Sequence, residues 1–418
     1  MLEAAGNHRQ SGNPVPENLK SDFPLLQDSQ PGRSFHYLDN AATTQKPSVV
    51  IEAISDCYRS FYGPVNRGLY PLAEEATRRY ALAREQVARF IGAPLADQLV
   101  FTRSTTEAIN LVASGWARPR LRRGDRIWVT RMEHHANLLP WQRICHEQGA
   151  ELRMIEFDEH GRLRWQSTEG LFDRQTRLIA LCQVSNVLGI ENPVRELCAQ
   201  AAAEGIPVLV DAAQSVSHLP VDVMALDCDF LAFSAHKMYG PSGIGALYAR
   251  PSRLEEMEPL LVGGGMVDRV TQDSSDWAAY PARFEAGSPS LADAMGFAAA
   301  AAYLEQIGMD RVHEHVSALT RQAQDALADV PGLQLIPRHA SDRSAIISFI
   351  VEGIHPHDLA QVAGDRGVGV RAGHHCCQPL MQHLGLAATT RASFALYNEP
   401  LDVDALLQAI DRARAMFG

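Results

Sequence analysis

Between Leu99 and Tyr248 the chain repeats one pattern: a short apolar run, a polar turn, then a helical segment. The runs are Leu99–Thr102, Arg126–Thr130, Leu152–Phe157, Leu178–Val184, Val208–Asp211, Phe230–Ser234 and Ile244–Tyr248. Helical patterns at Thr106–Trp116, Leu138–Gln148 and Val194–Glu204 separate several of them. Near-continuous apolar strands alternating with helices predict an α/β domain around a mostly parallel, seven-stranded sheet covered on both faces. The last two runs are joined by a short loop, which predicts one antiparallel strand at an edge. Before this core come a helix opened by Pro47 and running through Tyr62, and a long helix over Leu72–Ile91 ending at Gly92. After it, Leu254–Ala286 reads as an irregular insertion and Leu291–Ile307 as a long helix. A mixed segment at Ala345–Val351 and helices at Pro356–Arg366 and Asp402–Phe417 predict a second, smaller α/β layer.

In an open parallel sheet, ligands bind beyond the carboxyl ends of the strands. The polar residues of this chain gather there. Phe230–Ser234 runs into Ala235, His236 and Lys237, followed by the glycine-rich Tyr239–Gly245. The sequence holds only three lysines, Lys20, Lys46 and Lys237, and uses arginine elsewhere. A lysine kept at a strand end points to Schiff-base chemistry, which arginine cannot perform. Thr105 and Thr106 follow Leu99–Thr102 and begin a helix, as a phosphate cradle or as ordinary caps. Asp211 closes its strand with Gln214 three residues on. It can partner a pyridinium nitrogen or simply cap a helix. His134 and His135 follow another strand end, where one can lie over an aromatic ring or only satisfy local hydrogen bonds. A lysine, an acid, a phosphate-type helix start and a histidine on one sheet edge carry more weight together than singly.

A second cluster runs from Val370 through Arg371, Gly373, His374, His375, Cys376 and Cys377 to Pro379, with Arg391 beyond. Four adjacent residues do not converge easily on a metal, so none is expected. The alternatives are a reactive cysteine beside Arg371 and His375, or two buried cysteines in a tight turn. Arg391 can bind a carboxylate through two parallel hydrogen bonds or form an ordinary ion pair.

Composition narrows the remaining classes. A net charge of −11 argues against a nucleic-acid or anionic-membrane partner. Seven scattered cysteines do not resemble a disulfide framework and suit a reducing compartment. The polar N-terminus has no secretory apolar segment, and no apolar stretch reaches the ~18 residues of a membrane span. A cytoplasmic protein is therefore expected.

These motifs resemble the class V aminotransferase superfamily of fold-type I, pyridoxal-phosphate (PLP) enzymes. Within it, the chain is similar to group II (Suf/Csd-type) cysteine desulfurases from about Asp22 onward. The resemblance rests on Thr105–Glu107, Met132–Asn137, Val184–Gly189, Val210–Gln214, Ser234–Lys237, Phe284–Gly287 and Arg371–Cys376. It implies that Lys237 holds PLP as a Schiff base and moves a proton, and that Asp211 pairs with the ring nitrogen. Gln214 would contact the ring hydroxyl oxygen, and His134 would stack on the ring as an acid–base group. Thr105, Thr106, Ser234 and His236 would hold the phosphate, and Ser288 would reach the phosphate of a partner subunit. Asn186 and Arg391 would hold the substrate carboxylate, with Arg371 at the entrance. Cys376 would take sulfur from L-cysteine as a persulfide, leaving L-alanine, and pass it to a small acceptor protein for iron–sulfur cluster assembly.

The same resemblance implies a homodimer and three parts: an N-terminal arm (1–35) packing with the small domain, a large PLP domain (36–299) and a small domain (300–418) carrying the cysteine loop. L-selenocysteine as a further substrate stays open, as does another class V reaction, such as a C–S lyase or epimerase, that does not use Cys376. Four positions depart from the family pattern: Asn66 for histidine, Ala235 for glycine, Ser288 for threonine, and Cys377 for alanine. Cys377 is read as either a persulfide relay or a small core residue.

Overall fold

The computed structural model describes residues 15, 19–27, 35–340 and 343–417. Its centre is a seven-stranded sheet built from β1 (Leu99–Thr102), β2 (Arg126–Thr130), β3 (Glu151–Ile155), β4 (Thr176–Cys182), β5 (Val208–Asp211), β6 (Phe230–Ser234) and β7 (Gly245–Ala249). The strand order is β1-β7-β6-β5-β4-β2-β3. All pairs are parallel except those of β7, which runs against both β6 and β1. The antiparallel strand is therefore internal, not at the edge expected from its short connecting loop. It inserts between β6 and β1 and leaves six carboxyl ends pointing to one side.

Both faces of the sheet are buried. On β2, Ile127 and Val129 pack into one apolar cluster while Trp128 packs into the other. On β5, Leu209 alternates in the same way with Val208 and Val210. A strand covered on both sides needs apolar residues at every position, which is why these runs carry no polar alternation.

Helices α1 (Ser48–Asp56), α2 (Pro71–Phe90) and α3 (Thr105–Leu111) lie near this sheet, and α1 and α2 pack against α4 (Leu291–Ile307). The helix α4 runs across residue 299, where the sequence places a domain division. Gly308, at φ +94°, then turns the chain directly into α5 (Met309–Ala328). That helix buries Val312, Val316, Leu319, Thr320, Ala323 and Leu327 along one stripe. Sequence reading assigns no element here, although Val312, Val316, Leu319, Ala323 and Leu327 recur at helical spacing. The insertion after Leu254 contains a short hairpin, Val267–Val270 against Ser275–Trp277.

The C-terminal part adds a four-stranded antiparallel sheet of β8 (Leu333–Ile336), β9 (Ile346–Val351), β10 (Arg371–Gly373) and β11 (Thr389–Ser393), in the order β8-β9-β11-β10. Helices α6 (Pro356–Asp365) and α7 (Pro400–Phe417) pack on each other, α6 also on this sheet and α7 also on α5. Most of the expected N-terminal arm lies outside the described residues. Within them, Phe23 is fully buried and sets its ring edge-on against Tyr397, with centroids 4.6 Å apart, and also meets Tyr303 and Tyr239. No helix of the described residues is long and apolar enough to cross a membrane.

Candidate active site

Beyond the carboxyl ends of the strands lies a cleft of about 220 Å³. The segments after β1, β2, β4, β5 and β6 all contribute to it, and the antiparallel sheet of the C-terminal part closes it from the other side. Thr105, Thr106, His134, Asn186, Asp211, Gln214, Ser234, His236, Lys237, Arg371, Cys376 and Arg391 all line it. Ser288 does not. It sits in a separate surface hollow with Arg103, Gly243 and Leu261.

Lys237 has no hydrogen-bond partner among the described residues. Burial lowers its basicity, and Asp211 is the main charge opposing that shift. A primary amine that loses its proton more easily can form a Schiff base near neutral pH. Asp211, at the end of β5, is 5% exposed and accepts one backbone bond, from Ala213 N at 2.9 Å. Burial raises its pKa. A buried carboxylate with capacity to spare calls for a cationic or N–H partner in the cleft. Gln214 spends its amide on Ala41 O, 2.9 Å away, so the short turn after Asn40 enters the site as well.

Thr105, Thr106, Ser234 and His236 stand together along another side of the cleft. Ser104 caps α3 through its side chain, accepting from Glu107 N. Thr105 N donates to Ser234 Oγ at 2.7 Å, and the two hydroxyls lie 2.6 Å apart. Gly245 allows this approach of β1, β6 and β7. A Cβ there would lie 2.6 Å from Phe233 O and 2.9 Å from the Ser104 backbone. Burial and Lys237 depress the His236 imidazole to about 4, so it is neutral here.

His134 follows β2. Its Nδ1 accepts from Ala136 N at 3.0 Å, which leaves the proton on Nε2. Burial, with Lys237 next, pulls its pKa down to about 3, so the ring is uncharged near neutrality. The turn that holds it is fixed by a residue sequence reading did not single out. Glu133 is 2% exposed and accepts from Thr130 Oγ1 at 2.5 Å, Asn137 Nδ2 at 2.7 Å and Cys182 N at 3.0 Å. Burial lifts its pKa to about 7.

Arg371 and Arg391 face each other across β10 and β11. Arg391 is 2% exposed. It donates through Nη1 to Asn186 O at 2.9 Å and through Nη2 to Asp39 Oδ1 at 3.2 Å, while its Nε is buried without a partner. Asp39, Ala41, Cys182 and Val184 belong to the site region although sequence reading gave them no role. Asp39 and Ala41 lie in the turn that follows Leu38, where Ala42 N donates to Asp39 O at 3.0 Å.

Of the seven cysteines, six are buried, and Cys376 alone is partly exposed. It sits at φ +56° beside His375 at φ +52°. Two consecutive non-glycine residues in the left-handed region are costly, by about 1–3 kcal/mol each, and mark a tight loop held by its surroundings. His135 N donates to Cys376 O at 2.8 Å, and Asn186 Nδ2 to His375 O at 2.8 Å. His375 does not act as a cation beside the thiol. Its Nε2 meets Thr389, and burial holds its pKa at about 3. Cys377 is fully buried and does not line the cleft.

A lysine at a strand end, a buried acid, a neutral histidine and the hydroxyls of Thr105 and Ser234 share one cleft at the carboxyl edge of a mostly parallel sheet, the arrangement of a fold-type I PLP enzyme. The class V aminotransferase model matches residues 36–406, and the chain belongs to that family. Curated relatives place it among the family's cysteine desulfurases. It is 44% identical over 96% of its length to a probable cysteine desulfurase of Streptomyces coelicolor, covering 98% of that protein. It is likewise 44% identical over 96% of its length to a cysteine desulfurase of Salmonella agona, covering 99% of it. Among solved structures, the Escherichia coli cysteine desulfurase CsdA, crystallised as an S-sulfonic acid, superposes with a TM-score of 0.88 at 40% identity, covering 96% of this chain and 98% of that one. The apo cysteine desulfurase of Thermococcus onnurineus gives 0.90 at 39%, with the same coverage.

Proposed function

We propose that this cleft converts L-cysteine to L-alanine and moves the sulfur onto Cys376 as a persulfide. The observation that carries the reading is the placement of Cys376. The one thiol that is not buried opens into the same cleft as Lys237 and Asp211. Bound there, PLP supplies an electron sink for the bonds at the substrate's Cα.

The chain's residues divide the work. Thr105, Thr106, Ser234 and His236 would hold the phosphate. Asp211 would pair with the ring nitrogen, Gln214 would offer its second amide hydrogen to the ring oxygen, and His134 would serve the ring as an acid–base group. Arg391 and Asn186 receive the substrate carboxylate, which sets the side chain toward the loop, and Arg371 lines the approach. Lys237 takes and returns the Cα proton. The Cys376 thiolate attacks the substrate sulfur: one S–S bond forms and the C–S bond breaks. The carbon fragment gains the proton that the thiol gave up and leaves as alanine.

Residues 36–299 then form the cofactor-binding unit, and 300–418 carry the cysteine loop to it, with the N-terminal arm against the smaller unit. Ser288 lies outside its own cleft and serves the phosphate site of a second copy, so the active form is a homodimer. A small acceptor protein in the cytoplasm takes the persulfide for iron–sulfur cluster assembly, and L-selenocysteine is a second substrate of the same site.

Alanine release from L-cysteine tests the reading. Wild type should form alanine and Cys376→Ala should not. No alanine from wild type defeats the proposal; full alanine release by Cys376→Ala moves the sulfur to another thiol, and pyruvate with sulfide in place of alanine replaces the proposal with a C–S lyase that does not use Cys376.

A further inference from the structure

Cys377 does not line the cleft, yet its thiol ends on a residue that does. Cys377 Sγ lies 3.1 Å from Asn186 Oδ1, 3.3 Å from Glu133 O and 3.8 Å from Met132 O. A thiol has one proton, and the amide oxygen is the nearest of the three acceptors. The other end of the same amide is also committed, with Nδ2 donating to His375 O at 2.8 Å. A carbonyl can only accept, so this pair of neighbours fixes which end of the amide is which. Nδ2 carries two hydrogens, and His375 uses one. The second remains for a ligand in the cleft that Asn186 lines together with Arg391. Arg391 is tied to the same residue, donating to its backbone carbonyl at 2.9 Å, and its Nε has no partner. An anionic, planar acceptor with two oxygens would satisfy both groups.

We propose that Cys377 is a positioning residue for substrate binding: its S–H locks the Asn186 amide so that the free Nδ2–H and the Arg391 guanidinium meet the carboxylate together. This rests on the proposed role of Asn186 and Arg391 as the carboxylate contacts. It also replaces a sulfur-relay role for Cys377. Burial pushes that thiol strongly up, and its Sγ meets Met132, Glu133 and Asn186 in a side chain with no exposed surface.

The test uses the PLP-loaded enzyme and two sulfur-free ligands, so that the Cys376 chemistry plays no part. L-Alanine carries the carboxylate and ethylamine lacks it. Calorimetric titration of Cys377→Ala should show L-alanine bound roughly three- to ten-fold more weakly, the worth of one modest hydrogen bond. Ethylamine affinity should be unchanged. Cys377→Ser, which keeps a donor at the position, should return L-alanine binding to within about two-fold of wild type. Wild-type L-alanine affinity in Cys377→Ala overturns the proposal, as does an equal loss for ethylamine or a Cys377→Ser variant as weak as Cys377→Ala. Asn186→Ala separates this failure from that of the underlying reading. If it weakens L-alanine binding while Cys377→Ala does not, only the positioning role falls. If Asn186→Ala has no effect, the carboxylate assignment falls and takes the positioning role with it.

Discussion

Asp211→Asn should act in opposite directions on the free and cofactor-loaded protein. In the free protein Asp211 is a buried carboxylate with one backbone donor, and burial raises its pKa above 3.8. The folded state therefore holds its proton more tightly than the unfolded chain does. That makes the group a net liability at higher pH: stability falls as pH rises from about 3.8 toward the folded value, then levels. The asparagine keeps the acceptor for Ala213 N and removes the charge. Its apoprotein should thus be at least as stable as wild type at pH 7 and lose the Asp211 share of this pH dependence. In the proposed role, the carboxylate would make a charge-assisted bond to the ring nitrogen of bound PLP, worth about 1.5–3 kcal/mol. Its loss corresponds to roughly 10- to 150-fold weaker cofactor binding. Titration of PLP into apoprotein, followed by absorbance, gives the affinity, and urea midpoints with and without PLP give the two stabilities. Wild-type cofactor affinity in Asp211→Asn would refute the ring-nitrogen assignment. A free protein destabilised as much as the loaded one would show that Asp211 is scaffold.

Two further substitutions probe how the site is held. Gly245→Ala places a methyl 2.6 Å from Phe233 O and 2.9 Å from the Ser104 backbone. It should cost about 1–3 kcal/mol in urea unfolding and weaken inorganic phosphate and PLP binding together, by displacing the start of α3. Glu285 ties the insertion to the core: Arg84 Nη2 donates to it at 2.8 Å and Phe101 N at 2.7 Å, with both charged side chains nearly buried. Glu285→Ala leaves Arg84 buried without a counter-charge and should lower stability by about 3–5 kcal/mol. A loss below about 1 kcal/mol in that variant would place the pair among exposed, weakly coupled ones.

How far the sequence could be read followed from how local each signal is. Lys237, Asp211, His134 and Thr105 were legible because strand ends follow from apolar runs, and one sheet edge then collects whatever polar residues follow them. The position of β7 was not, since a short loop shows that β6 and β7 are neighbours and says nothing of what lies on the other side. Arg391 and Asn186 were assignable only by resemblance. Their meeting depends on a cross-strand register between Arg371 and Arg391 and on a second sheet packed over the first. Glu133 and Asp39 were missed for the same reason. An acid next to His134 or in the turn after Leu38 looks like any surface carboxylate until its partners, Thr130, Asn137 and Arg391, are seen. Cys377 shows the converse. Two adjacent cysteines suggested shared chemistry, but the left-handed turn at His375 and Cys376 sends one thiol to the cleft and the other into the core.

The central claim is that sulfur leaves the substrate by way of Cys376. It is tested most directly by mixing the PLP-loaded enzyme with one equivalent of L-cysteine, without acceptor or reductant, and mapping the sulfur by peptide mass spectrometry. The account predicts one added sulfur atom on the peptide holding Cys376, none on Cys377 or the five other cysteines, and one alanine released per sulfur bound. Alanine or sulfide formed with Cys376 unmodified, or the added sulfur found on Cys377, would contradict it.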